Sequence, residues 1–537
     1  MTRTTTRTGR FTAVLAAGTA MALVLAGCGS DTPSASPSGS TAGGDTAASS
    51  TPSASTTAGS DTAGSDTAGS DTAGSDTAGS DTAGSDTAGS SPAGSETAGS
   101  GSPGGTGETV KLSISTNGIS GGKNAQEADW IAQYVIPEFT KAEKAKGVNV
   151  EVSYQSSGVD DEKFKAKLAL DLKAGRGPDV FSIDGIWVGE FAQAGYIKPL
   201  EDVVGADFKS WEGWKQIPEA VQGNATFDGK LYALPTGTDG RVLFYNKTLF
   251  AKAGLPANWQ PTSWDDIAAA ADKLKSIDGV TPMQLNAGTA MGEATTMQGI
   301  LPLLAGTGAQ IYSDGKWLGN TPQLKAVLGL YDKVYNTDSL GDPNLQLDAK
   351  GRDQSFADFA DGKIGILAES DYFWRSVVNP KDGVAKMANR NEAVGYALFP
   401  AQSKGSGLRG QDFVSMSGGS VYALNPNSKN AKLAWELQTF MLSPEAIKAR
   451  LGDAAAITAR DDVNKELLAN DPMLSFVAQK VLPLTAYRPG LAQYPEVSAA
   501  LQQATADIVS GTSVDDAAAA YQDALVKIVG ANNVTSG

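Results

Sequence analysis

The sequence predicts an α/β protein whose folded part is divided into two lobes. From Val110 onward, short apolar runs alternate with amphipathic stretches, a pattern typical of strands that alternate with helices in a mainly parallel sheet. The first strands are predicted at 110–115, 148–154 and 179–183, and the first helices at 125–146 and 160–174. The folded part, 108–537, has about 430 residues. A single hydrophobic core stops growing at roughly 250–300 residues, so two lobes are expected.

Polar residues directly follow the predicted strands. Asn117, the 156–158 segment and the 184–187 segment all lie at carboxyl ends of strands. In parallel sheets, ligands bind beyond these ends. We therefore expect Asn117, Asp184 and Trp187 to face a ligand. The alternative role for Asp184 is to cap the next helix.

The N-terminus has the order of a secretory signal. A basic start with Arg3, Arg7 and Arg10 is followed by an apolar run from 11 to 25, which is shorter than the about 20 residues of a membrane span. Leu-Ala-Gly then precedes Cys28, the only cysteine in the chain. This order resembles the lipobox of bacterial lipoproteins, which implies a signal peptide at 1–27 and a lipid on Cys28. An ordinary signal peptide with an incidental cysteine is the alternative.

Residues 28–107 are expected to form a disordered linker. The segment consists almost entirely of Ser, Thr, Ala, Gly, Pro and Asp, and it includes six consecutive DTAGS units at 61–90. It has no aromatic residue and no Leu, Ile or Val. Such a composition buries too little apolar surface to offset the entropy of ordering. We expect a flexible tether between the membrane and the folded part.

Charge and composition exclude several classes of function. Removal of 1–27, with three arginines and no acidic residue, takes the net charge from −16 to −19. This charge argues against nucleic acid as a partner. The chain has no histidine, so a Ser-His-Asp triad and histidine zinc sites are excluded. We predict no metal and no cofactor.

A series of motifs carries a family resemblance. In chain order they are GRGPDVF at 175–181, FAQAGYIKPL at 191–200, GKLYALP at 229–235, LFYNKTLF at 243–250, PTSWDD at 261–266, FADGKIGI at 359–366, FVSMSGGSVYAL at 413–424 and AWELQTFMLS at 434–443. Together they resemble the extracellular solute-binding proteins of carbohydrate ABC importers, the maltose-binding-protein-like group. The match extends over essentially all of 108–537.

The resemblance implies a periplasmic-binding-protein-like fold, with two α/β lobes joined by a multi-stranded hinge. Lobe one is expected at 108–235 plus 393–442, and lobe two at 236–392 plus 443–537. A monomer would close around a sugar, a di- or oligosaccharide, and deliver it to the membrane subunits of the importer. It would not be an enzyme, and the lipid would hold it at the outer face of the cytoplasmic membrane, in the cell-wall zone of a Gram-positive organism.

Sugars bind to carboxylates, amides and arginines, with aromatic rings against their C–H faces. The run 369–374, Glu-Ser-Asp-Tyr-Phe-Trp, follows the strand predicted at 363–367. We therefore expect Asp371, Tyr372 and Trp374 to be ligand contacts. The alternatives are helix capping for Asp371 and core packing for Trp374.

Five further residues complete the predicted site. Asp239 and Arg241 lie where the chain enters the second lobe, and a hinge salt bridge is the alternative role of Arg241. Gly418 and Gly419 interrupt a strand and would admit a ligand close to the backbone, unless they only form a bulge. Arg488, in the Tyr-Arg-Pro run, lies where the resembling proteins often place an arginine that faces the ligand.

Two other functions are left open. A polyamine or another small polar solute would suit the same fold and the acidic chain, although Arg241 and Arg488 argue against a cation. A glycoside hydrolase would need two carboxylates at a defined separation, for which Glu369 with Asp371, or Asp184 with Glu190, are the candidates. The ordered motifs favour capture without chemistry.

Overall fold

The computed structural model describes residues 108–159, 161–452 and 454–535. The predicted signal peptide at 1–27, the lipidation site Cys28 and the linker at 28–107 lie outside the described residues.

The strands, in chain order, are β1 (Val110–Thr116), β2 (Val150–Ser156), β3 (Val180–Asp184), β4 (Thr226–Phe227), β5 (Lys230–Leu231), β6 (Ala233–Pro235), β7 (Arg241–Asn246), β8 (Thr281–Gln284), β9 (Tyr312–Ser313), β10 (Lys316–Leu318), β11 (Ile364–Ser370), β12 (Val394–Ala397), β13 (Phe399–Pro400), β14 (Phe413–Ser417), β15 (Ser420–Leu424), β16 (Thr485–Tyr487) and β17 (Val534–Thr535).

The α-helices are α1 (Ala125–Trp130), α2 (Ile136–Ala145), α3 (Asp161–Lys173), α4 (Val188–Gln193), α5 (Leu200–Val204), α6 (Glu219–Gln222), α7 (Lys247–Lys252), α8 (Trp264–Leu274), α9 (Glu293–Thr295), α10 (Leu301–Gly306), α11 (Pro322–Asp332), α12 (Pro343–Leu347), α13 (Gly351–Ala360), α14 (Arg390–Ala393), α15 (Ala431–Met441), α16 (Pro444–Leu451), α17 (Asp461–Leu467), α18 (Pro472–Phe476), α19 (Tyr494–Val509) and α20 (Val514–Val529). Short π-helical turns interrupt this pattern, among them Thr296–Ile300 and Phe373–Val377.

Two α/β lobes are present, each built on its own sheet. The first sheet has the strand order β2-β1-β3-β15-β6 and the second the order β12-β7-β11-β8. Apolar clusters cover both faces of each sheet: Ile114 and Phe181 are fully buried in lobe one, as are Phe244 and Ile366 in lobe two. Burial on both faces explains why these strands appear in the sequence as short, continuous apolar runs.

The sheets are mixed, which corrects the expectation of mainly parallel sheets. β1 pairs in parallel with β2 and β3, as predicted. β15 runs antiparallel to β3 and β6, and β7 runs antiparallel to β11 and β12. The reason is the connectivity between the lobes: β6, β7 and β15 flank points where the chain crosses from one lobe to the other.

Lobe one was expected to resume at residue 393, but the strand pairing places the following residues in lobe two. Residues 394–397 form an edge strand of the second sheet, because Val394 to Ala397 pair with Asn246 to Leu243. The chain returns to lobe one at β15. Lobe one also keeps α16, expected in lobe two, since the Trp130 indole N–H donates to the Ala446 carbonyl at 2.8 Å.

Three crossing segments form the hinge: crossing one at 236–240, crossing two at 418–419 and crossing three at 454–460, which follows α16 of lobe one and precedes the helices that pack in lobe two. The Thr238 N–H of crossing one donates to the Ile457 carbonyl of crossing three at 3.3 Å. Side-chain hydrogen bonds join the first two crossings to each other and to β16. The Gly418 N–H donates to Asp239 Oδ1 at 2.8 Å, and the hydroxyls of Thr238 and Tyr487 lie 3.2 Å apart. Thr485 Oγ1 donates to Ser417 Oγ at 2.6 Å. The crossing segments are therefore coupled to one another.

Among the described residues, no helix combines the length and the apolar character needed to cross a membrane.

We predict that Gly419→Ala destabilises the protein. Gly419 has φ of 142°, and a Cβ there would lie 2.3 Å from the Gly237 carbonyl oxygen in crossing one. Overpacking against backbone costs about 1–3 kcal/mol of unfolding free energy. Chemical denaturation measures this loss. The control is Gly329→Ala in α11, where a Cβ meets nothing within 4 Å and where we expect a gain of about 0.4–1 kcal/mol. Equal stability of the two variants would contradict the prediction.

Candidate functional site

A polar cluster lies where the two lobes meet. Asp184 ends β3 in lobe one, Glu293 begins α9 in lobe two, and Arg488, which follows β16, lies between them. The carboxyl ends of β1 and β3 place this cluster where ligands of α/β sheets bind. We call it the inter-lobe cleft.

Arg488 bridges the two lobes. Its Nη1 donates to Glu293 Oε1 at 3.1 Å, and its Nη2 lies 3.7 Å from Asp184 Oδ1. Its Nε is buried and has no hydrogen-bond partner. By contrast, the side chains of Asp184 and Glu293 keep 43% and 38% of their exposure. The guanidinium thus keeps one buried donor without a partner, between two acids that are partly exposed.

The position of Asp184 between the lobes raises the pKa of its carboxyl group. Loss of water around the carboxylate raises its pKa, while the charge of Arg488 and the Ile186 N–H oppose the rise. The Ile186 N–H donates to Asp184 Oδ1 at 3.1 Å. Asp184 therefore caps the following turn, the alternative considered from the sequence, and also faces the cleft.

Glu293 is held by three donors. Besides Arg488, the hydroxyls of Tyr494 and Ser498 donate to it at 2.5 and 2.6 Å. The sequence analysis missed Glu293. It follows no predicted strand, and its partners lie about 200 residues further along the chain, so the local pattern carried no signal.

Asp239 and Arg241 form an ion pair within the hinge. Arg241 is 5% exposed and donates to Gln298 Oε1 at 3.0 Å and to the Met416 carbonyl at 3.1 Å. All these partners are internal, so the geometry favours the alternative role of Arg241 as a hinge salt bridge. Gln298, another residue missed from the sequence, lies in the π-helical turn Thr296–Ile300, an irregularity often found at functional sites.

Asp371 lies beneath the cleft rather than at its surface. It is 1% exposed, and both carboxylate oxygens are occupied. Oδ1 accepts from the Gly240 N–H at 2.9 Å, and Oδ2 accepts from Arg375 Nε at 3.0 Å. Asp371 is thus bonded to crossing one and to Arg375, and ligand contact by Asp371 stays a prediction.

Tyr372 is the exposed aromatic residue of the predicted cluster. It is 37% exposed, and the guanidinium carbons of Arg352 and Arg375 lie 5.9 and 5.6 Å from its ring centroid. Arg352 is itself held by the fully buried Glu369 through two hydrogen bonds of 2.8 Å. Arg352 was also missed from the sequence, because its helix shows only a weak pattern before β11.

The two predicted tryptophans are packed. Trp374 is 3% exposed, its indole N–H donates to Asp471 at 3.0 Å, and Arg390 covers its ring at 3.9 Å from the centroid. Trp187 is 7% exposed and stacks on Phe191. These contacts favour the packing alternative for Trp374. Ligand contact by either ring stays a prediction.

Asn117 follows β1, and Gly418 and Gly419 form crossing two. Asn117 donates to Asp161 Oδ1 at 2.8 Å, and its Oδ1 is buried without a partner. A Cβ at Gly418 would lie 3.4 Å from Arg488 Nη2, so this glycine lets the backbone approach the arginine closely. Gly419 accepts hydrogen bonds from Gly185 N and Asn224 Nδ2. Gly419 thus serves the hinge.

A second groove also lies between the lobes. It has a volume of about 940 Å³ and is lined by the 218–228 segment of lobe one and the 301–315 segment of lobe two. Tyr487 and Arg488 line its floor, whereas Asp184, Asp239 and Glu293 do not. We call it the second groove to distinguish it from the inter-lobe cleft.

Comparisons with a family model and with known proteins point to the same protein family. Residues 124–448 match the family model described as bacterial extracellular solute-binding protein. A putative binding protein of Brucella abortus is 25% identical over 424 residues, which cover 78% of this chain and 96% of the relative. The galactooligosaccharide-binding protein of Bacillus subtilis is 25% identical over 415 residues, covering 72% and 86% of the two chains.

Solved structures show the same fold. An ABC transporter solute-binding protein of Thermotoga lettingae, bound with α-D-tagatose, has a TM-score of 0.55 and 25% identity, covering 78% of this chain and 99% of its own. The cyclic α-maltosyl-1,6-maltose binding protein of Arthrobacter globiformis has a TM-score of 0.61 and 22% identity, covering 79% and 100%.

Proposed function

Because the chain belongs to the bacterial extracellular solute-binding proteins, we propose that it captures a sugar and delivers it to an ABC importer. The sugar, a di- or oligosaccharide, binds in the inter-lobe cleft, and rotation of the lobes about the three crossings encloses it. The observation that carries this proposal is the bridge of Arg488 between Asp184 and Glu293. These are charged hydrogen-bonding groups of the kind that bind sugar hydroxyls.

The pairing of charges in the cleft supports a neutral ligand. Asp184 and Glu293 share Arg488, and Asp239 has its own cation in Arg241. A polyamine would need carboxylates without such partners and would be repelled by the same arginines. A polyhydroxylated ligand can accept from the free Arg488 Nε while donating to the exposed acids. This favours the sugar over the polyamine.

The carboxylate pairs considered for a glycoside hydrolase are engaged elsewhere. Glu369 is fully buried and bonded to Arg352, and Asp371 contacts crossing one. Glu190 is ion-paired with Lys165 at 2.7 Å. A hydrolase needs two carboxyl groups that flank one bond. The engagement of these groups supports capture without catalysis.

The remaining parts of the proposal concern the rest of the chain. A lipid on Cys28 would hold the protein at the outer face of the membrane, and residues 28–107 would let the folded part reach into the cell wall. One chain supplies both sides of the cleft, so a monomer suffices for capture.

A thermal-shift screen tests the proposed function. The full chain is melted with a panel of mono-, di- and trisaccharides and with spermidine. Since a ligand that binds the native state raises the melting temperature, we expect a rise with at least one di- or trisaccharide. A rise with spermidine and with no sugar would replace the sugar by a cation. Release of reducing sugar during incubation would show an enzyme instead.

Substitution of the two aromatic residues of the 369–374 run should have opposite effects. Tyr372→Ala removes the exposed ring and should weaken binding of the best sugar from the screen by about 1–3 kcal/mol, with little loss of stability. Trp374→Ala removes a core ring and should cost about 3–5 kcal/mol of unfolding free energy, with little change in affinity when folded. Calorimetric titration and chemical denaturation measure the two quantities. A loss of sugar affinity in Trp374→Ala, with unchanged affinity in Tyr372→Ala, would instead place the ligand against Trp374.

The lipid anchor is tested by Cys28→Ala in the native host. Without the thiol no lipid can be attached, and a single acyl chain already contributes about 0.8 kcal/mol per buried CH₂ to membrane binding. We expect the variant to leave the membrane fraction and the wild type to stay in it. Retention of the variant in washed membranes would contradict the lipobox.

A further inference from the structure

The two lobes touch through their backbones beside the cleft. In lobe one the contact is made by the 185–189 segment, which follows β3, and in lobe two by the 488–490 segment, which follows β16. A Cβ at Gly490 would lie 2.9 Å from Gly189 N and 3.1 Å from the Ile186 carbonyl oxygen. The three atoms nearest to that Cβ are all backbone atoms of lobe one. We call this close approach of Gly189 and Gly490 the glycine contact.

Space, and not backbone conformation, requires glycine at this contact. Neither Gly189 nor Gly490 has φ in the left-handed region, so other residues could adopt the backbone of either one. A Cβ at Gly189 would lie 2.3 Å from the Gly490 carbonyl oxygen, and also 2.7 Å from the Phe227 ring of its own lobe. Gly490 differs, because an added methyl group there meets the opposite lobe first. Its missing side chain therefore concerns the fit between the lobes.

The glycine contact lies between the hinge and the cleft. On the hinge side, the Gly185 N–H donates to the Gly419 carbonyl of crossing two at 3.0 Å. On the cleft side, Arg488 lies two residues before Gly490 and reaches Asp184 at 3.7 Å. A shift of one lobe against the other at this contact therefore changes the distance between charged groups of the cleft.

The contact continues as apolar packing. The half-buried side chain of Phe227 packs against an apolar cluster of lobe one and against one of lobe two. Leu491, which follows Gly490, is buried in the same cluster of lobe two. The 488–490 segment is thus anchored to the core of its own lobe. Since packed interiors yield little and transmit strain, a clash at Gly490 would displace the lobe as a whole.

We propose that Gly490 is a positioning residue for capture, whose missing side chain lets the lobes approach as closely as they do here. In this arrangement Arg488 bridges Asp184 of lobe one and Glu293 of lobe two, so both lobes can contact one ligand. Gly490 acts through the backbone of lobe one and not by touching the sugar. Its effect on affinity rests on the proposed function, whereas its effect on the separation of the lobes does not.

Distances between two spin labels test the effect on the lobes. The labels are attached at exposed positions, one in each lobe, through Leu170→Cys and Val384→Cys in the full chain with Cys28→Ala. Without sugar, Gly490→Ala should move the distance distribution away from that of the labelled parent, because the added methyl group forces the lobes apart at the contact. The matched control is Gly329→Ala in α11, where a Cβ meets nothing within 4 Å. It should leave the distribution unchanged.

Calorimetric titration of the same variants with the best sugar from the screen tests the effect on capture. A coupling between lobe arrangement and ligand binding typically changes affinity by about 5–150-fold. We expect a loss in this range for Gly490→Ala and no loss for Gly329→Ala. Saturating sugar should return the labels of Gly490→Ala toward the parent distribution, since a ligand shifts the population toward the arrangement that it binds.

An unchanged distance distribution in Gly490→Ala, or an equal shift in Gly329→Ala, would overturn the proposal. An unchanged or higher affinity of Gly490→Ala for the sugar would overturn it as well. If Gly490→Ala does not fold, Phe227→Ala replaces it. Loss of the ring that packs against both lobes should then broaden the distribution, and an unchanged distribution would count against the contact. The distances are measured without sugar, so a failed sugar screen overturns only the proposed function.

Discussion

The organisation of this protein depends on the hydrogen bonds that couple its three crossings. Asp239 holds crossing two through the Gly418 N–H at 2.8 Å, and the Thr238 hydroxyl lies 3.2 Å from the Tyr487 hydroxyl of β16. The Thr238 N–H donates to the Ile457 carbonyl of crossing three at 3.3 Å. A buried backbone N–H without a partner costs about 1–3 kcal/mol, so these side chains are needed wherever the strand ladders end. Each of the two sheets has its own core. The crossings are consequently the place where a change in one lobe reaches the other.

The same crossings position the inter-lobe cleft. Asp184 and Glu293 come from different lobes, and Arg488, which follows β16, lies between them at 3.7 and 3.1 Å. Rotation of the lobes alters these distances directly. A bound sugar would compete with, or extend, the same set of hydrogen bonds, which links ligand binding to lobe position in physical terms.

The sequence predicted the features that depend on local pattern. The first strands and helices, and Asp184 at the carboxyl end of β3, were located from apolar runs. Asp239 and Arg488 were named from the family resemblance, and their role as ligand contacts stays a prediction. Long-range pairing was not accessible in this way. The antiparallel entry of β15, and the partners of Glu293 about 200 residues away, depend on how the chain returns between lobes. Asp371 and Trp374 have the residue types of ligand contacts, but both are buried and hydrogen-bonded to other groups of the protein.

A crystal structure of the chain with the sugar that gives the largest thermal shift tests the proposed capture most directly. The sugar should lie between Asp184 and Glu293, with one oxygen within hydrogen-bond distance of Arg488 Nε, and the lobes should enclose it. A sugar in the second groove, against Phe227 and Tyr312 and away from Asp184, would contradict the assignment of the inter-lobe cleft.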